Sequence, residues 1–385
     1  MKKALQKSRN LRFAVLLCLL ATFVQAQNDR TVQSRLNENG SMTFVYHDTT
    51  ARKVRISCDC RLRGEKPIKG ESYNKAKMVA TEPGVWTYTT PRLTPEVYTY
   101  QFLADKKAVT DPTNADSIRV QDTRMSVFMV DGTDEMRLYQ TDKTLGNIDT
   151  LDFVCGNDTI ARRILVYTPP YHVNSGEEYP VLYLLHGING NVNSWNDRGR
   201  AMQVVDNLIR EGRIVPIVLV IPDANPLPLV GQDVETDIMQ NLMHFHDWKD
   251  LDFERCFPAL DQYLSERYHL APERSKRAVA GLSAGGSQSA NLINMYDTAF
   301  AVAGLFSPII FHHNQPRHPS TPVMVYTGKA DVFHFQAKGY CRKLKKQEVP
   351  YKLFNTEGGH TWRNWRKYFT DFVLSTFPNN PTKPN

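Results

Sequence analysis

The chain has 385 residues, of which 23% are charged, and its formal net charge is +7. This length is sufficient for two domains with sizeable cores. The first 26 residues hold five basic and no acidic side chains, which leaves 42 basic against 40 acidic residues in the rest; with no Lys/Arg block interleaved with aromatic residues, this balance speaks against a nucleic-acid partner.

Residues 1–26 have the pattern of a cleavable secretory signal peptide. Basic residues precede an apolar run from Phe13 to Val24, and Ala26 ends a small-residue cleavage site. A membrane anchor is the alternative, but about a dozen apolar residues are too few to span roughly 30 Å of hydrocarbon. Cys18 lies inside the apolar run, which disfavours a lipoprotein. We therefore expect a secreted or periplasmic protein, cleaved after Ala26 and without a membrane span.

An odd number of cysteines follows residue 26, so at least one thiol is unpaired within the monomer. These cysteines are Cys58, Cys60, Cys155, Cys256 and Cys341. Cys58 and Cys60 are two positions apart on a predicted strand, where a disulfide between them would be strained. No C-x-x-C pair with zinc spacing occurs. Burial as small apolar side chains is the expectation, and Cys256–Cys341 is the pairing that the sequence excludes least.

Residues 27–132 predict a small all-β domain. Short alternating or β-branched runs are separated by turn residues such as Glu82-Pro83-Gly84. About 100 residues of this kind favour a β-sandwich, and no cluster of His, Asp and Glu suggests chemistry within it. The predicted strands are residues 43–46, 53–58, 85–89 and 98–102.

Residues 133–385 predict an α/β domain. A polar stretch at 131–150 is interpreted as a linker and an entry strand, after which strands and helices alternate. The continuous apolar runs at 180–185 and 217–221 are typical of strands buried on both faces. This alternation favours a mostly parallel sheet with helices on both faces. The predicted strands are 163–167, 180–185, 217–221, 277–280, 324–326 and 351–354, and the predicted helices are 201–211, 252–268, 334–347 and 365–377.

The strand that ends near residue 280 continues into Gly281-Leu282-Ser283-Ala284-Gly285. A G-x-S-x-G sequence between a buried strand and a helix holds the serine on a strained turn and presents its Oγ at the top of the sheet. The two glycines are required because a Cβ at either position would clash in so tight a turn. Ser283 is therefore the candidate nucleophile.

A serine nucleophile needs a base to take its proton and a carboxylate to orient that base. Asp331 and His360 each follow a predicted strand, and functional loops of a parallel sheet lie at the carboxyl ends of its strands. The order Ser283, Asp331, His360 is that of α/β-hydrolases. Glu357 competes as the acid, but it lies only three residues from His360 on the same loop, from which it would reach the ring awkwardly.

Catalysis by this triad also needs preset N–H donors for the negative charge on the attacked oxygen. One donor is expected to be the backbone N–H of Ala284, which follows the nucleophile. The other is expected from the loop at 186–190, which begins with His-Gly directly after a buried strand. We assign it to the N–H of Ile188.

Five segments then carry a resemblance to a known family: Leu-Leu-His-Gly-Ile-Asn-Gly at 184–190, Gly-Arg at 199–200, and residues 281–286, 328–331 and 358–366. They resemble carbohydrate esterase family 1, the group of feruloyl and acetyl xylan esterases that is also called esterase D-like. The likeness runs from about residue 140 to 378, and Gly-Gly-His-Thr-Trp-x-x-Trp-Arg is its most specific part. Residues 27–132 resemble, more weakly, the early-set immunoglobulin-like module that often precedes such esterases, through 84–86, 98–100 and 111–112.

The resemblance implies a serine esterase that releases feruloyl or similar hydroxycinnamoyl groups from plant cell-wall polysaccharide of the arabinoxylan type. Ser283, deprotonated by His360, would attack the ester carbonyl, and Asp331 would orient the imidazole. The N–H groups of Ile188 and Ala284 would hold the oxyanion. Neither a metal ion nor an organic cofactor is implied. Acetyl xylan esterase, siderophore (enterobactin-type) esterase and a non-catalytic carbohydrate-binding protein are the alternatives.

Two positions depart from the family pattern and leave the acyl preference open: many relatives have Met in place of Ala284, and often Gly in place of Asn189. Aromatic residues near the functional loops are candidates to stack on a hydroxycinnamoyl ring or a sugar, with core packing as the alternative. They are Trp362, Trp195 and Phe333, of which Trp362 is nearest in sequence to His360. In the N-terminal domain Trp86, Tyr88, Tyr98 and Tyr100 could form a sugar platform, but core positions are favoured.

Overall fold

The computed structural model describes residues 33–62, 73–120, 123–140, 146–156, 160–170, 177–231 and 252–379. The predicted signal peptide lies outside the described residues. None of the helices in these ranges combines the length and the hydropathy that a membrane span requires.

The N-terminal part consists of two antiparallel sheets. Its strands are β1 (Arg35–Leu36), β2 (Ser41–His47), β3 (Val54–Cys58), β4 (Asn74–Lys77), β5 (Val79–Glu82), β6 (Val85–Arg92), β7 (Glu96–Ala104), β8 (Lys107–Val109), β9 (Ser117–Val120) and β10 (Thr123–Val130). One sheet has the order β1-β2-β6-β5, and the other has the order β4-β3-β7-β10-β9 with β8 paired to β7. All four strands predicted in this part are present.

One apolar core lies between these two sheets. It takes Phe44 from the first sheet and Ile56 and Phe102 from the second, all with no solvent exposure. The tyrosines considered for a sugar platform, Tyr88, Tyr98 and Tyr100, are buried in the same core. These rings therefore stabilise the sandwich and are not available on its surface.

The larger part of the chain forms an eight-stranded sheet flanked by helices. Its strands are β11 (Asn147–Phe153), β12 (Arg162–Thr168), β13 (Val181–Leu185), β14 (Val218–Pro222), β15 (Arg277–Leu282), β16 (Val302–Phe306), β17 (Val323–Gly328) and β18 (Tyr351–Thr356). The order is β11-β12-β14-β13-β15-β16-β17-β18. From β14 to β18 every neighbouring pair is parallel. Strand β12 pairs antiparallel with both of its neighbours, β11 and β14. The predicted α/β fold with a mostly parallel sheet is confirmed.

Helices cover both faces of this sheet. They are α1 (Asp134–Leu138), α2 (Ser194–Asp197), α3 (Ala201–Arg210), α4 (Asp252–Tyr268), α5 (Ala284–Met295), α6 (His334–Lys346) and α7 (Trp362–Thr376). Alternate residues of β13 contribute to opposite cores, as a strand's period of two requires. Leu182 and Leu184 join the core that contains α3 and α7, whereas Val181 and Tyr183 join the core that contains α4, α5 and α6.

Among the differences from the sequence prediction, three concern the larger part of the chain and the segment that leads into it. Strand β16 was not predicted, because its short Val-Ala-Gly-Leu-Phe run contains a glycine that weakens the strand pattern. Helix α1 lies inside the predicted linker and buries Met136 and Leu138. Helix α7 begins at Trp362, three residues before the predicted start, because the side chain of Thr361 caps it by accepting the N–H of Asn364.

The expected pairing of the cysteines was wrong, whereas the expectation of an unpaired, buried thiol is confirmed at Cys341. Cys256 pairs with Cys155, at a Cα–Cα distance of 5.8 Å, and not with Cys341. Cys58 and Cys60 also form a disulfide, with a Cα–Cα distance of 5.1 Å. Because β3 ends at Cys58, strand geometry does not constrain Cys60. Among the described cysteines Cys341 is the free one, and burial raises the pKa of its thiol to about 11.

A buried polar network underlies the helix that follows Ser283. Glu254 of α4 is 1% exposed, and its Oε1 accepts a hydrogen bond of 2.8 Å from Asn291 of α5. Its Oε2 has no hydrogen-bond partner in the described part of the chain. Burial raises the pKa of Glu254 to about 7, although the hydrogen bond from Asn291 acts in the opposite direction. The native state therefore holds a proton on this carboxyl more tightly than the unfolded chain does.

This raised pKa predicts a loss of stability on the alkaline side. Because the native carboxyl prefers to be protonated, the contribution to stability is complete below pH about 4.5 and falls until the pH passes about 7. Relative to Glu254→Gln, which cannot ionise, the wild-type free energy of unfolding is expected to fall by about 2–3 kcal/mol between pH 5 and pH 8. Urea denaturation of both proteins at pH 5 and pH 8 measures this difference. The prediction is wrong if the free energy of unfolding changes equally with pH in the two proteins.

Candidate active site

The turn between β15 and α5 has the geometry predicted for G-x-S-x-G. Ser283 adopts φ 54° and ψ −115°, a left-handed conformation that is unusual for a residue with a Cβ. A Cβ on Gly281 would come within 2.4 Å of the backbone of Gly285, and a Cβ on Gly285 within 2.3 Å of the carbonyl oxygen of His186. Both glycines are therefore required by direct backbone contact.

Three side chains from three different loops meet at this turn. His360, after β18, places its Nε2 3.1 Å from the Oγ of Ser283. Its Nδ1 lies 3.2 Å and 3.3 Å from the two carboxylate oxygens of Asp331, which follows β17. In the sequence, His360 is 29 positions from Asp331 and 77 positions from Ser283. The sheet brings them together because all three follow parallel strands at the same edge.

The carboxylate of Asp331 is fully enclosed, whereas the His360 side chain is 19% exposed. Burial by itself would raise the pKa of Asp331, but the hydrogen bond and charge of His360 outweigh it and lower the pKa. The backbone N–H of Phe333 also donates to this carboxylate, at 2.8 Å. An ionised Asp331 is an acceptor only, so the imidazole proton is held on Nδ1 and Nε2 is left to accept a proton from Ser283.

The competing carboxyl group points elsewhere. The Glu357 side chain is 82% exposed and pairs with Lys329 in solvent. Its backbone carbonyl accepts a hydrogen bond of 2.9 Å from Asn364. The structure thus brings Asp331, and not Glu357, to the ring of His360.

The loop after β13 packs directly on the nucleophile turn. A Cβ on Gly187 would come 2.6 Å from Leu282 and 3.2 Å from the Cβ of Ser283. Ile188 and Ala284, whose N–H groups are the predicted oxyanion donors, belong to one small apolar cluster with Leu229 and Phe311. Leu229 and Phe311 were not predicted as site residues because they lie in segments without a periodic pattern.

Sequence reasoning also gave no role to His186 itself. This ring is 1% exposed and accepts the backbone N–H of Ala224 at Nε2, at 3.2 Å. Its Nδ1 lies 2.9 Å from the carbonyl oxygen of Gly187. The N–H of Gly190 donates to the same oxygen. His186 thus fixes the peptide that precedes Ile188.

The structure contradicts two of the three aromatic candidates for substrate contact. Trp195 has no solvent exposure and donates its indole N–H to the carbonyl of Leu185, at 2.9 Å. Trp362 is 7% exposed, with its ring against Trp195 and Trp365. Both tryptophans are core residues because each lies on the face of its helix that is turned toward the sheet.

Phe333 is the remaining aromatic candidate. It is half-buried, and its ring lies edge-on to His360 with 5.1 Å between centroids. Its neighbours Val332 and Phe335 are 74% and 83% exposed, which is high for apolar side chains. Val332, Phe333 and Phe335 together form an apolar rim, which meets His360 through Phe333.

Among the described residues, no group of three or more His, Cys, Asp or Glu side chains is placed to hold a metal ion. The polar atoms that converge at the turn are those of the Ser283, His360 and Asp331 side chains and of the nearby backbone. This arrangement can deprotonate a hydroxyl group at Ser283 and stabilise the imidazolium that results.

Known proteins are similar to this chain. Residues 159–338 match the model of the family described as "Putative esterase". A curated protein of Xylanibacter ruminicola, named endo-1,4-beta-xylanase/feruloyl esterase, is 24% identical over 349 residues. That match covers 89% of this chain but only 45% of the relative's length.

Solved structures share the fold. A ferulic acid esterase of the anaerobic fungus Anaeromyces mucronatus has a TM-score of 0.53 at 20% identity, covering 64% of this chain and 97% of that one. The enterobactin esterase of Shigella flexneri has a TM-score of 0.62 at 16% identity, covering 89% and 94%. The family match thus covers residues 159–338 of this chain, and the solved structures show that the fold of the whole described chain is shared.

Proposed function

We propose that this protein is a secreted serine esterase that releases feruloyl or related hydroxycinnamoyl groups from plant cell-wall polysaccharide. The observation that carries the proposal is the hydrogen-bonded chain from Ser283 through His360 to Asp331 on a strained turn. This combination of nucleophile, base and orienting acid supports acyl transfer through a covalent intermediate.

In the proposed reaction, His360 Nε2 takes the proton of Ser283 as Oγ attacks the ester carbonyl carbon. The backbone N–H groups of Ile188 and Ala284 hold the oxyanion that forms. His360 then gives its proton to the leaving sugar hydroxyl, and the acyl group remains on Ser283. A water molecule, deprotonated by His360, attacks the acyl-enzyme, which releases the acid and returns the proton to Ser283.

Two observations favour an aromatic acyl group. The printed name of the Xylanibacter ruminicola relative includes feruloyl esterase activity. Phe333 of the apolar rim lies edge-on to His360, where an aromatic ring of the acyl group could pack. An acetyl group is too small to use such a surface.

A siderophore esterase is the second candidate. The enterobactin esterase structure covers 89% of this chain, so its likeness includes the N-terminal sandwich as well as the hydrolase domain. Enterobactin-type trilactones also carry aromatic acyl groups, so the apolar rim alone does not separate the two substrates.

A comparison of hydrolysis rates on three esters separates these candidates. We expect kcat/KM to be highest on methyl ferulate, lower on a linear enterobactin-type trilactone and lowest on acetylated xylan, since only the first two offer a ring to the rim. Ser283→Ala, purified in parallel, controls for contaminating esterases. Preference for acetylated xylan without activity on ferulate would overturn the feruloyl assignment, and preference for the trilactone would favour the second candidate.

Export of the protein is part of the proposal. The two disulfides, Cys58–Cys60 and Cys155–Cys256, support an oxidising compartment such as the periplasm or the exterior. The basic and apolar pattern of residues 1–26 supports the same location.

A further inference from the structure

Glu96 connects the N-terminal sandwich with the last helix of the hydrolase domain. It begins β7, and its side chain is 5% exposed. Its Oε1 lies 2.6 Å from Nη2 of Arg366, and its Oε2 lies 2.9 Å from Nε of Arg363. The two arginines are three positions apart on α7, so they project from the same face of the helix.

Arg366 is a buried cation that depends on this carboxylate. Its side chain is 5% exposed and also donates to the carbonyls of Arg198, at 2.6 Å, and Val97, at 3.3 Å. Burial would raise the pKa of Glu96, but the charges of Arg366 and Arg363 outweigh it and hold the pKa below its usual value. Without Glu96 the guanidinium of Arg366 would stay buried without its ion-pair partner, which is strongly unfavourable.

The same helix is attached to the loop that carries His360. Thr361, which directly follows the histidine, is the N-cap of α7. Asn364 of the first turn donates to the carbonyl of Glu357, at 2.9 Å, and so ties the helix to the start of the loop. The ring of Trp365 packs edge-on against His360, with 4.8 Å between centroids. A shift in the first turns of α7 would therefore move His360 relative to Ser283.

The sandwich and the hydrolase domain also share an apolar core. Val97, Ile118 and Val127 of the sandwich are buried in the same cluster as Trp365 and Phe369 of α7. The sandwich thus contributes buried apolar residues to the core in which α7 lies.

We propose that the sandwich is a positioning part of the active site, and that Glu96 holds the first turns of α7 so that His360 keeps its distance to Ser283. This inference rests on the proposed function, because it concerns the residues to which that function assigns catalysis. Glu96 acts through α7 and does not touch the reacting atoms. A displacement of about 1 Å in a catalytic group can lower a rate by about 100-fold, so even a small release of the helix should be measurable.

The test compares Glu96→Gln with Asp116→Asn in the full chain. The control removes a different ion pair between the same two domains, Arg200–Asp116, in which Asp116 is 56% exposed and α7 takes no part. The readouts are kcat and KM on methyl ferulate or p-nitrophenyl acetate, and the rate at which a fluorophosphonate labels Ser283. The label reports the activation of the serine without depending on the natural substrate.

We expect Glu96→Gln to lower kcat and the labelling rate by about tenfold or more, with KM within about twofold, and Asp116→Asn to change none of them by more than about twofold. A folded Glu96→Gln protein with wild-type kcat and labelling rate overturns the inference. If this variant does not fold, Glu96→Asp decides: it keeps the charge but is one methylene too short to hold both arginines, so wild-type labelling by it would equally overturn the inference. Wild-type hydrolysis by Ser283→Ala would instead defeat the proposed function itself.

Discussion

Replacing Ser283 with alanine is expected to lower kcat for ester hydrolysis by about 10⁵- to 10⁶-fold. The Oγ that His360 Nε2 contacts at 3.1 Å is the atom that would form the acyl-enzyme. His360→Ala should cost about as much, and the double variant little more, because the two residues act as one unit. Steady-state kinetics on the preferred ester measures all three proteins.

Ser289→Ala is the matched control for this variant. Ser289 lies on the same helix, and its hydroxyl donates to the carbonyl of Gly285, one turn earlier, at 2.9 Å. Loss of this bond should leave kcat within about twofold, since such back-bonding contributes little to a helix. Melting temperatures of the variants establish that each is folded. Substantial hydrolysis by folded Ser283→Ala protein would mean that another residue is the nucleophile.

Asp331→Asn is expected to lower kcat by about 10⁴-fold while the protein stays folded. An amide in place of the carboxylate would donate a hydrogen bond to Nδ1, which forces the imidazole proton onto Nε2. His360 would then be unable to accept the proton of Ser283. The enclosed position of Asp331 makes the effect large, because water cannot replace the lost charge.

Glu357→Gln is the comparison that assigns the acid. This carboxylate lies on the loop of His360 but faces solvent and Lys329. An exposed ion pair contributes little to stability, so we expect kcat and the melting temperature to change only slightly. If Glu357→Gln lowered kcat more than Asp331→Asn does, the assignment of Asp331 as the orienting acid would be wrong.

Much of the fold could be predicted from short-range patterns. The apolar runs of β13 and β14 and the spacing of α4 and α6 are properties of neighbouring residues, and the structure has these elements at the predicted places. Strand β16 was missed because its short run with a glycine carries little of this local signal. The same limit applies to α1, which forms where tertiary packing buries Met136 and Leu138.

The candidate site was predictable for a related reason. Ser283, Asp331 and His360 each follow a strand, and the carboxyl ends of parallel strands meet at one edge of a sheet. The aromatic residues were not predictable in this way. Trp195 and Trp362 lie near the functional loops in sequence, but the direction of a ring depends on the face that its helix packs against the sheet.

By itself, the sequence determined the two-part architecture, the α/β class and the three residues of the candidate triad. Hydrophobic periodicity and glycine sterics depend on residues close together in the chain, and the order of the three candidate residues is visible directly in the sequence. Only the tertiary structure decided which cysteines pair, which aromatic rings are buried and how the sandwich contacts the hydrolase domain. The Cys155–Cys256 bond spans 101 positions and the Glu96–Arg366 contact spans 270. Contacts at such separations depend on how the whole chain packs, and no local pattern encodes them.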